Sequence, residues 1–219
     1  MTIQRRFFNA GLAGLAGIAA VGAPGLGQAQ SDKPVEGKHF LRLAQPLASA
    51  GAEGKIEVFE FFLYTCPHCF AFDPALSAWS KTLAPDVSLR RIHVGVGAMH
   101  KLHQRLFYAL ESLGRLGDLH EQVFKALQIE KLDLSSEKAI TAWAVGKGLD
   151  GAKFGAAFNS FGAQTRLGQS TKLAEAYRAD GVPALGVAGR FLTSPSMAGG
   201  IPQALVVADH LIKLARSKS

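Results

Sequence analysis

Cys66 and Cys69 constrain this chain more than any other feature, because they are the only two cysteines among 219 residues. They stand in the order Cys-Pro-His-Cys, directly after residues 56–63, which are rich in β-branched and aromatic side chains. Such a run predicts a central strand buried on both faces, and residues 66–83 predict the helix that follows it. Two cysteines exclude a disulfide-rich scaffold and a four-cysteine zinc site.

The start of a helix favours the ionised form of a thiol at Cys66. Unpaired backbone N–H groups and the positive end of the helix dipole both lie there. Pro67 suits the first helical turn, where its missing N–H costs nothing, and a protonated His68 would add positive charge. We expect Cys66 to be the exposed attacking sulfur and Cys69 the shielded resolving sulfur. A stabilised thiolate favours the reduced protein, so the Cys66–Cys69 disulfide is expected to be an oxidant.

Other uses of a closely spaced cysteine pair fit the sequence less well. A structural disulfide would close a loop of four residues and contribute about 2 kcal/mol, against about 3 kcal/mol for a fifteen-residue loop. A haem attachment needs histidine at position 70, which is phenylalanine. A metal site would need further ligands from Met99, His100 and His103. The two histidines are interpreted instead as part of a solvated helix face, and we predict no metal.

Residues 1–29 have the pattern of a cleaved export signal. Arg5 and Arg6 form a positive start, no charge occurs at positions 10–27, and small residues close the segment. A membrane anchor is the alternative, but Pro24 and frequent glycines make a weak spanning helix. The paired arginines resemble a twin-arginine signal, so both that route and the ordinary secretory route stay open. We expect the mature chain to be soluble in an oxidising compartment.

Charge and composition argue against two further classes of protein. The net charge of +7 falls to +5 without the two leader arginines, and the remaining basic residues are scattered. The sequence has no basic block interleaved with aromatic residues, so nucleic-acid binding is not expected. A charged content of 19% with 9% aromatic residues argues against disorder.

The order of predicted elements is strand, strand, helix, strand, helical block, strand, strand, helix. It indicates an α/β domain at residues 30–96 and 165–219, split by an all-helical insertion at residues 97–164. Ala188-Gly189 is interpreted as a tight hairpin turn, and Pro74 is expected to kink the first helix. The strands are predicted at 39–43, 56–63, 87–94, 183–187 and 190–192, and the helices at 66–83, 101–114, 118–128, from 135 or 136, 150–160, 163–179 and 202–216.

Five segments resemble the DsbA family of periplasmic thiol:disulfide oxidoreductases, and the resemblance covers essentially the whole mature chain. The Cys-Pro-His-Cys tetrapeptide is the family's redox motif. The resemblance implies a thioredoxin-like fold with an inserted helical domain. The other matching segments are Glu60-Phe61-Phe62, Arg91-Ile92-His93-Val94, Asn159-Ser160-Phe161 and Gly181-Val182-Pro183-Ala184.

The resemblance also implies roles for individual residues. Val182 and Pro183 are expected to lie beside Cys66, where the family carries a cis-proline, and to offer backbone groups to an extended substrate strand. A proline that merely starts a strand is the alternative. Glu60 corresponds to the family's buried acid and would move protons for Cys69. Pairing with Arg91 is the alternative role, and both roles are compatible.

The resemblance implies a periplasmic oxidase that donates its Cys66–Cys69 disulfide to reduced, partly folded exported proteins. Such a protein is expected to need no cofactor beyond the cysteine pair, to act as a monomer and to be reoxidised by a membrane oxidase of the DsbB type. A reductase or isomerase using the same pair remains an alternative, as does a copper-binding chaperone. A non-catalytic peptide-binding module is a further alternative, for which Cys66→Ser would leave the cellular phenotype unchanged.

Overall fold

The computed structural model describes residues 33–47 and 54–217, so the predicted signal at residues 1–29 lies outside the described residues. None of the described helices combines the length and apolar character needed to cross a membrane. The strands are β1 (Leu41–Arg42), β2 (Ile56–Phe62), β3 (Val87–His93), β4 (Ala184–Val187) and β5 (Phe191–Thr193). The helices are α1 (Pro67–Ser80), α2 (Ala98–Ser112), α3 (Leu116–Gln128), α4 (Glu137–Gly146), α5 (Gly151–Phe158), α6 (Phe161–Tyr177), α7 (Pro195–Ala198) and α8 (Ile201–Arg216).

The strands form one mixed sheet in the order β1-β5-β4-β2-β3. Strand β2 runs parallel to β3 and antiparallel to β4, and it carries the redox motif at its carboxyl end. Helices α2 to α6 lie in sequence between β3 and β4. This arrangement confirms the predicted α/β fold with an inserted helical block.

Alternation along β2 sends successive side chains to opposite faces of the sheet. Val58 belongs to a core that joins the sheet to α1 and α8. The Trp79 indole N–H of α1 donates to the Asp209 carboxylate of α8 at 2.9 Å, which ties these two helices together. Phe59 and Phe61 point to the other face and contact Tyr177 of α6. The position of Glu60 in this alternation places its carboxylate on the α1 side.

The inserted helices have a core of their own, which includes Phe107, Phe124 and Phe154. That core is continuous with Phe62 and Cys69, so the helical block packs directly against the redox motif. The predicted domain boundary between residues 164 and 165 falls inside the continuous helix α6. This helix therefore belongs to both parts of the structure.

Local sequence signals account for most element ends. Ser136 caps α4, because its hydroxyl accepts the Ala139 N–H at 3.2 Å, as expected for one of two candidate serines. Helix α1 runs through Pro74 without interruption. The predicted hairpin turn is present, with Ala188 and Gly189 both at positive φ between β4 and β5. Helix α7 was not predicted, because four residues are too few to show a helical period.

Gly186 allows the ring of Tyr177 to lie directly on β4. A Cβ atom at position 186 would come within 2.5 Å of that ring. The Tyr177 side chain is fully buried, and its hydroxyl accepts the Gly189 N–H at 2.7 Å. Because both the ring and the hydroxyl are fixed, the ring cannot move aside at low cost.

We therefore expect Gly186→Ala to lower the free energy of unfolding by about 1–3 kcal/mol, as overpacking does. Chemical denaturation of purified protein measures this change. Gly168→Ala is the matched control, because position 168 lies in α6 with no neighbouring atom within 4 Å of a new Cβ. The control is expected to be neutral or to stabilise by about 0.5–1 kcal/mol. Equal effects of the two substitutions would contradict the packing argument.

Candidate active site

The two cysteines lie at the junction between the carboxyl end of β2 and the start of α1. Cys66 is the N-cap residue of α1, and Pro67 occupies the first helical turn. No side chain caps this end, so the backbone N–H groups of the first turn remain directed towards the Cys66 side. Both cysteines are free thiols in the structure.

The two sulfurs differ sharply in exposure. Cys66 is half-buried, whereas Cys69 is completely buried within the core that joins the sheet to the inserted helices. Burial raises the pKa of the Cys69 thiol, and the neighbouring Cys66 thiol and Glu60 carboxylate raise it further. Cys69 therefore stays protonated as a thiol when reduced. Pro67 and His68 are both exposed beside the half-buried sulfur.

The loop before β4 approaches the half-buried sulfur. The Cys66 Sγ atom lies 3.7 Å from the carbonyl oxygen of Val182. The Val182-Pro183 peptide bond is cis. The structure therefore brings together the two segments, Cys66 and Val182-Pro183, that the family resemblance placed side by side. A groove of about 430 Å³ runs from this point and is lined by His68, Pro183, Met197 and Ile201, among others.

Glu60 is completely buried beneath the cysteine pair. It lies opposite Arg91 in the register of the two parallel strands, and its Oε2 is 3.1 Å from the Arg91 Nε. Burial raises the pKa of Glu60 to about 7, although Arg91 opposes the increase. The ion pair with Arg91 and the elevated pKa coexist, so Glu60 can exchange a proton near neutral pH.

Two residues that sequence reasoning did not single out complete this charged cluster. The Asp73 Oδ1 of α1 lies 2.9 Å from the Arg91 Nη2 and 3.3 Å from the His120 Nε2 of α3. Burial alone would raise the pKa of Asp73, but His120 and Arg91 together hold it below its ordinary value. Asp73 lies four residues after the buried Cys69, on the same face of α1, but this spacing alone does not reveal its partners.

The histidines considered as metal ligands have other roles. His103 is 1% exposed, and its Nε2 lies 3.0 Å from the Leu134 carbonyl oxygen. The prediction of a solvated face was therefore wrong for His103, because this side of α2 packs into the structure. His100 approaches the Val96 carbonyl oxygen with its Nδ1 at 2.7 Å. Residues 33–47 and 54–217 contain no group of three His, Cys, Asp or Glu side chains placed to hold a metal ion.

A half-buried thiol at a helix start, a fully buried second thiol and a facing cis-proline loop define a thiol-disulfide oxidoreductase of the thioredoxin superfamily. The family model of the DSBA-like thioredoxin domain matches residues 84–205. The chain belongs to the DsbA family. The matched range begins after the cysteine pair, so the two cysteines do not contribute to this match.

Individual relatives agree with this assignment over most of the chain. The thiol:disulfide interchange protein DsbA of Bordetella parapertussis is 43% identical over 180 residues, which is 82% of this chain and 85% of that protein. The DsbA of Pseudomonas aeruginosa is 37% identical over 189 residues, or 86% of this chain and 89% of that protein. A crystal structure of Pseudomonas aeruginosa DsbA has a TM-score of 0.81 at 36% identity, covering 85% and 97% of the two chains. The thioredoxin-like fold and the recognised family are thereby confirmed.

The elevated pKa of Glu60 predicts how stability depends on pH. The unfolded chain loses this proton near pH 4.5 and the folded protein near pH 7, so folding becomes less favourable as pH rises through that interval. We expect Glu60→Gln to remove this decline. The variant should gain about 3 kcal/mol relative to the reduced parent protein between about pH 4.5 and 7.5. Denaturation of both proteins across this range measures the difference, and a flat difference would contradict the buried-acid assignment.

Proposed function

We propose that this protein is an oxidase that donates a Cys66–Cys69 disulfide to reduced, partly folded exported proteins through a mixed disulfide at Cys66. The observation that carries the proposal is the asymmetry of the cysteine pair. Cys66 is half-buried and faces the Val182 carbonyl oxygen at 3.7 Å, whereas Cys69 is completely buried behind it. An incoming thiolate can therefore reach only one sulfur of the pair.

The reaction has two exchange steps. A substrate thiolate attacks the Cys66 Sγ, the Cys66–Cys69 bond breaks, and its electron pair goes to the Cys69 Sγ, which takes up a proton. A second substrate thiolate then attacks the substrate sulfur of the mixed disulfide and releases Cys66 as a thiolate. The substrate is oxidised by two electrons and the protein is reduced. Glu60, with a pKa raised to about 7 by burial, is the proposed proton donor to Cys69.

The groove beside Cys66 supports an extended, unfolded segment as the substrate. The backbone of Val182 lies at the sulfur, where an extended chain can align with it. Pro183, Met197 and Ile201 give the groove an apolar surface, and His68 lies at its cysteine end. Such a surface suits hydrophobic segments that are accessible only before a protein has folded.

The direction of electron flow follows from the uncapped start of α1. The unpaired N–H groups of the first turn stabilise a thiolate at Cys66, as a protonated His68 would. This stabilises the reduced form and makes the disulfide oxidising. A reductase or isomerase would use the same two sulfurs and remains the second candidate.

We further propose that residues 1–29 direct export to the periplasm and are then removed. The mature protein is proposed to act there as a monomer. The oxidising character of that compartment matches a dithiol oxidase. A membrane oxidase of the DsbB type would restore the disulfide after each cycle. The cysteine pair itself is the redox group, and no other cofactor enters the proposed reaction.

The assignment of the two sulfurs predicts which variant accumulates a covalent complex. Cys69→Ala lacks the resolving thiol, so its reduced form should accumulate a mixed disulfide with a peptide whose single cysteine is activated as a disulfide with 5-thio-2-nitrobenzoate, which departs as the leaving thiolate. Cys66→Ala should form none, because its remaining sulfur is buried. Non-reducing electrophoresis and intact-protein mass spectrometry detect the complex. Complex formation by Cys66→Ala instead would reverse the proposed roles.

The oxidase assignment predicts the reduction potential of the pair. The DsbA family itself provides one reference at about −120 mV, and thioredoxin provides the other at about −270 mV. We expect equilibration with glutathione to place this protein nearer the first value. A value near that of thioredoxin would overturn the oxidase assignment in favour of the reductase alternative.

A further inference from the structure

Four buried side chains and the partly exposed Arg91 form a continuous cluster that extends well beyond the Glu60–Arg91 ion pair. Arg91 contacts Glu60 at 3.1 Å and Asp73 at 2.9 Å, so it bridges the two carboxylates. Asp73 is in turn 3.3 Å from the Nε2 of His120. The Nδ1 of His120 lies 2.9 Å from the hydroxyl of Tyr64, two residues before Cys66. These residues, the Glu60–His120 cluster, connect β2, β3, α1, α3 and the loop that carries the reactive sulfur.

The charges of the cluster balance only when it holds one exchangeable proton. Arg91 is a permanent cation, and Asp73 is kept ionised by its two partners. With Glu60 also ionised and His120 neutral, the cluster would carry one uncompensated negative charge away from water, which is costly. One proton removes that charge, and it can reside on Glu60 or on His120. The two arrangements have the same net charge.

The surroundings of His120 can accommodate either protonation state. The Tyr64 hydroxyl donates to Nδ1 when the imidazole is neutral and accepts from it when the imidazole is charged. Burial holds the pKa of His120 below its ordinary value, although the adjacent Asp73 opposes this decrease. The other titratable or charged groups around His120 are Arg91 and His93 of β3 and Glu121 of α3 itself. Phe62, Phe107 and Phe124 complete its surroundings without adding charge.

We propose that Glu60 and His120 share one proton, in equilibrium between a neutral pair and a carboxylate–imidazolium pair, and that His120 is thereby a positioning residue for the redox reaction. The two sites are coupled electrostatically through Arg91 and Asp73, so that a proton bound at one site disfavours a proton at the other, and the guanidinium keeps its own protons. The consequence for the reaction rests on the proposed role of Glu60 as the donor to Cys69. His120 then sets the fraction of Glu60 that carries a proton when Cys69 becomes the leaving sulfur.

Nuclear magnetic resonance titration of the reduced full-length mature protein tests the shared proton. The probes are the carboxyl carbon of Glu60 and the ring nitrogens of His120, followed from about pH 4 to pH 9. Because interacting sites titrate together, both probes should change over the same interval near neutral pH, and Glu60 should show two steps. No change at the His120 nitrogens across this interval would overturn the proposal.

The Glu60 titration in three variants distinguishes the loss of a shared proton from a general disturbance of packing. His120→Gln keeps a hydrogen-bonding side chain without a titratable ring, so Glu60 should then titrate in one step. Asp73→Asn removes the bridging negative charge, so the Glu60 midpoint should fall by about one pH unit or more. His103→Gln is the matched control, because His103 is equally buried but contacts the Leu134 carbonyl oxygen rather than the cluster. It should leave the Glu60 titration unchanged.

An identical Glu60 titration in the parent protein and His120→Gln would also overturn the proposal. If His120→Gln fails to fold, the His120 nitrogens of the parent protein and the Glu60 midpoint in Asp73→Asn decide the question. The trapping experiment with Cys69→Ala tests the proposed function separately. A missing mixed disulfide together with a shared titration would refute the function and leave the proton sharing intact.

Discussion

The ion pair between Glu60 and Arg91 determines how α1 is held on the sheet. A carboxylate at the centre of a buried strand is costly unless a cation reaches it, and the parallel register of β2 and β3 supplies that cation directly opposite. The Arg91 guanidinium also donates to Asp73 and to the hydroxyl of Ser77 at 2.8 Å, both on α1. The side chain that compensates the buried acid therefore also holds the helix that carries both cysteines.

The cysteine pair also depends on the inserted helices. Cys69 is buried in the same apolar cluster as Phe62, Tyr64 and the aromatic side chains of α2 and α3. The amide side chain of Gln128 in α3 donates to the Tyr64 carbonyl oxygen at 2.8 Å, which fixes the loop before Cys66. The insertion is therefore part of the wall of the active site, and the low polarity around Cys69 comes from both parts of the structure.

The sequence pattern was enough to predict features that depend on interactions between residues close together along the chain. The apolar run of β2, the Pro67 start of α1 and the serine cap of α4 each depend on residues within a few positions of one another. The proximity of the Val182-Pro183 loop to Cys66 followed from resemblance to a family rather than from the pattern. The burial of His103 was predicted wrongly, because the partner that buries it lies thirty-one residues away along the chain.

The Glu60–His120 cluster shows what sequence reasoning could not supply. Asp73 and His120 each lie among apolar neighbours on the buried face of a helix, at 4% and 6% exposure. Within either helix alone, a polar residue on such a face looks like an interruption of the pattern. Only the packing of α1, α3 and β3 makes the two residues neighbours, because the contacts that join them are tertiary.

The helical block is joined to the sheet by two unlike connections. The first, between β3 and α2, contains Gly95 and Gly97, both at positive φ. The second is α6, in which Ala163 near the first turn is buried in the core of the helical block and Tyr177 at the other end packs against the sheet. One connection is thus a loop with two glycines, and the other is a helix packed into the cores of both parts. A substitution in α6 can therefore disturb the packing of the helical block and of the sheet together.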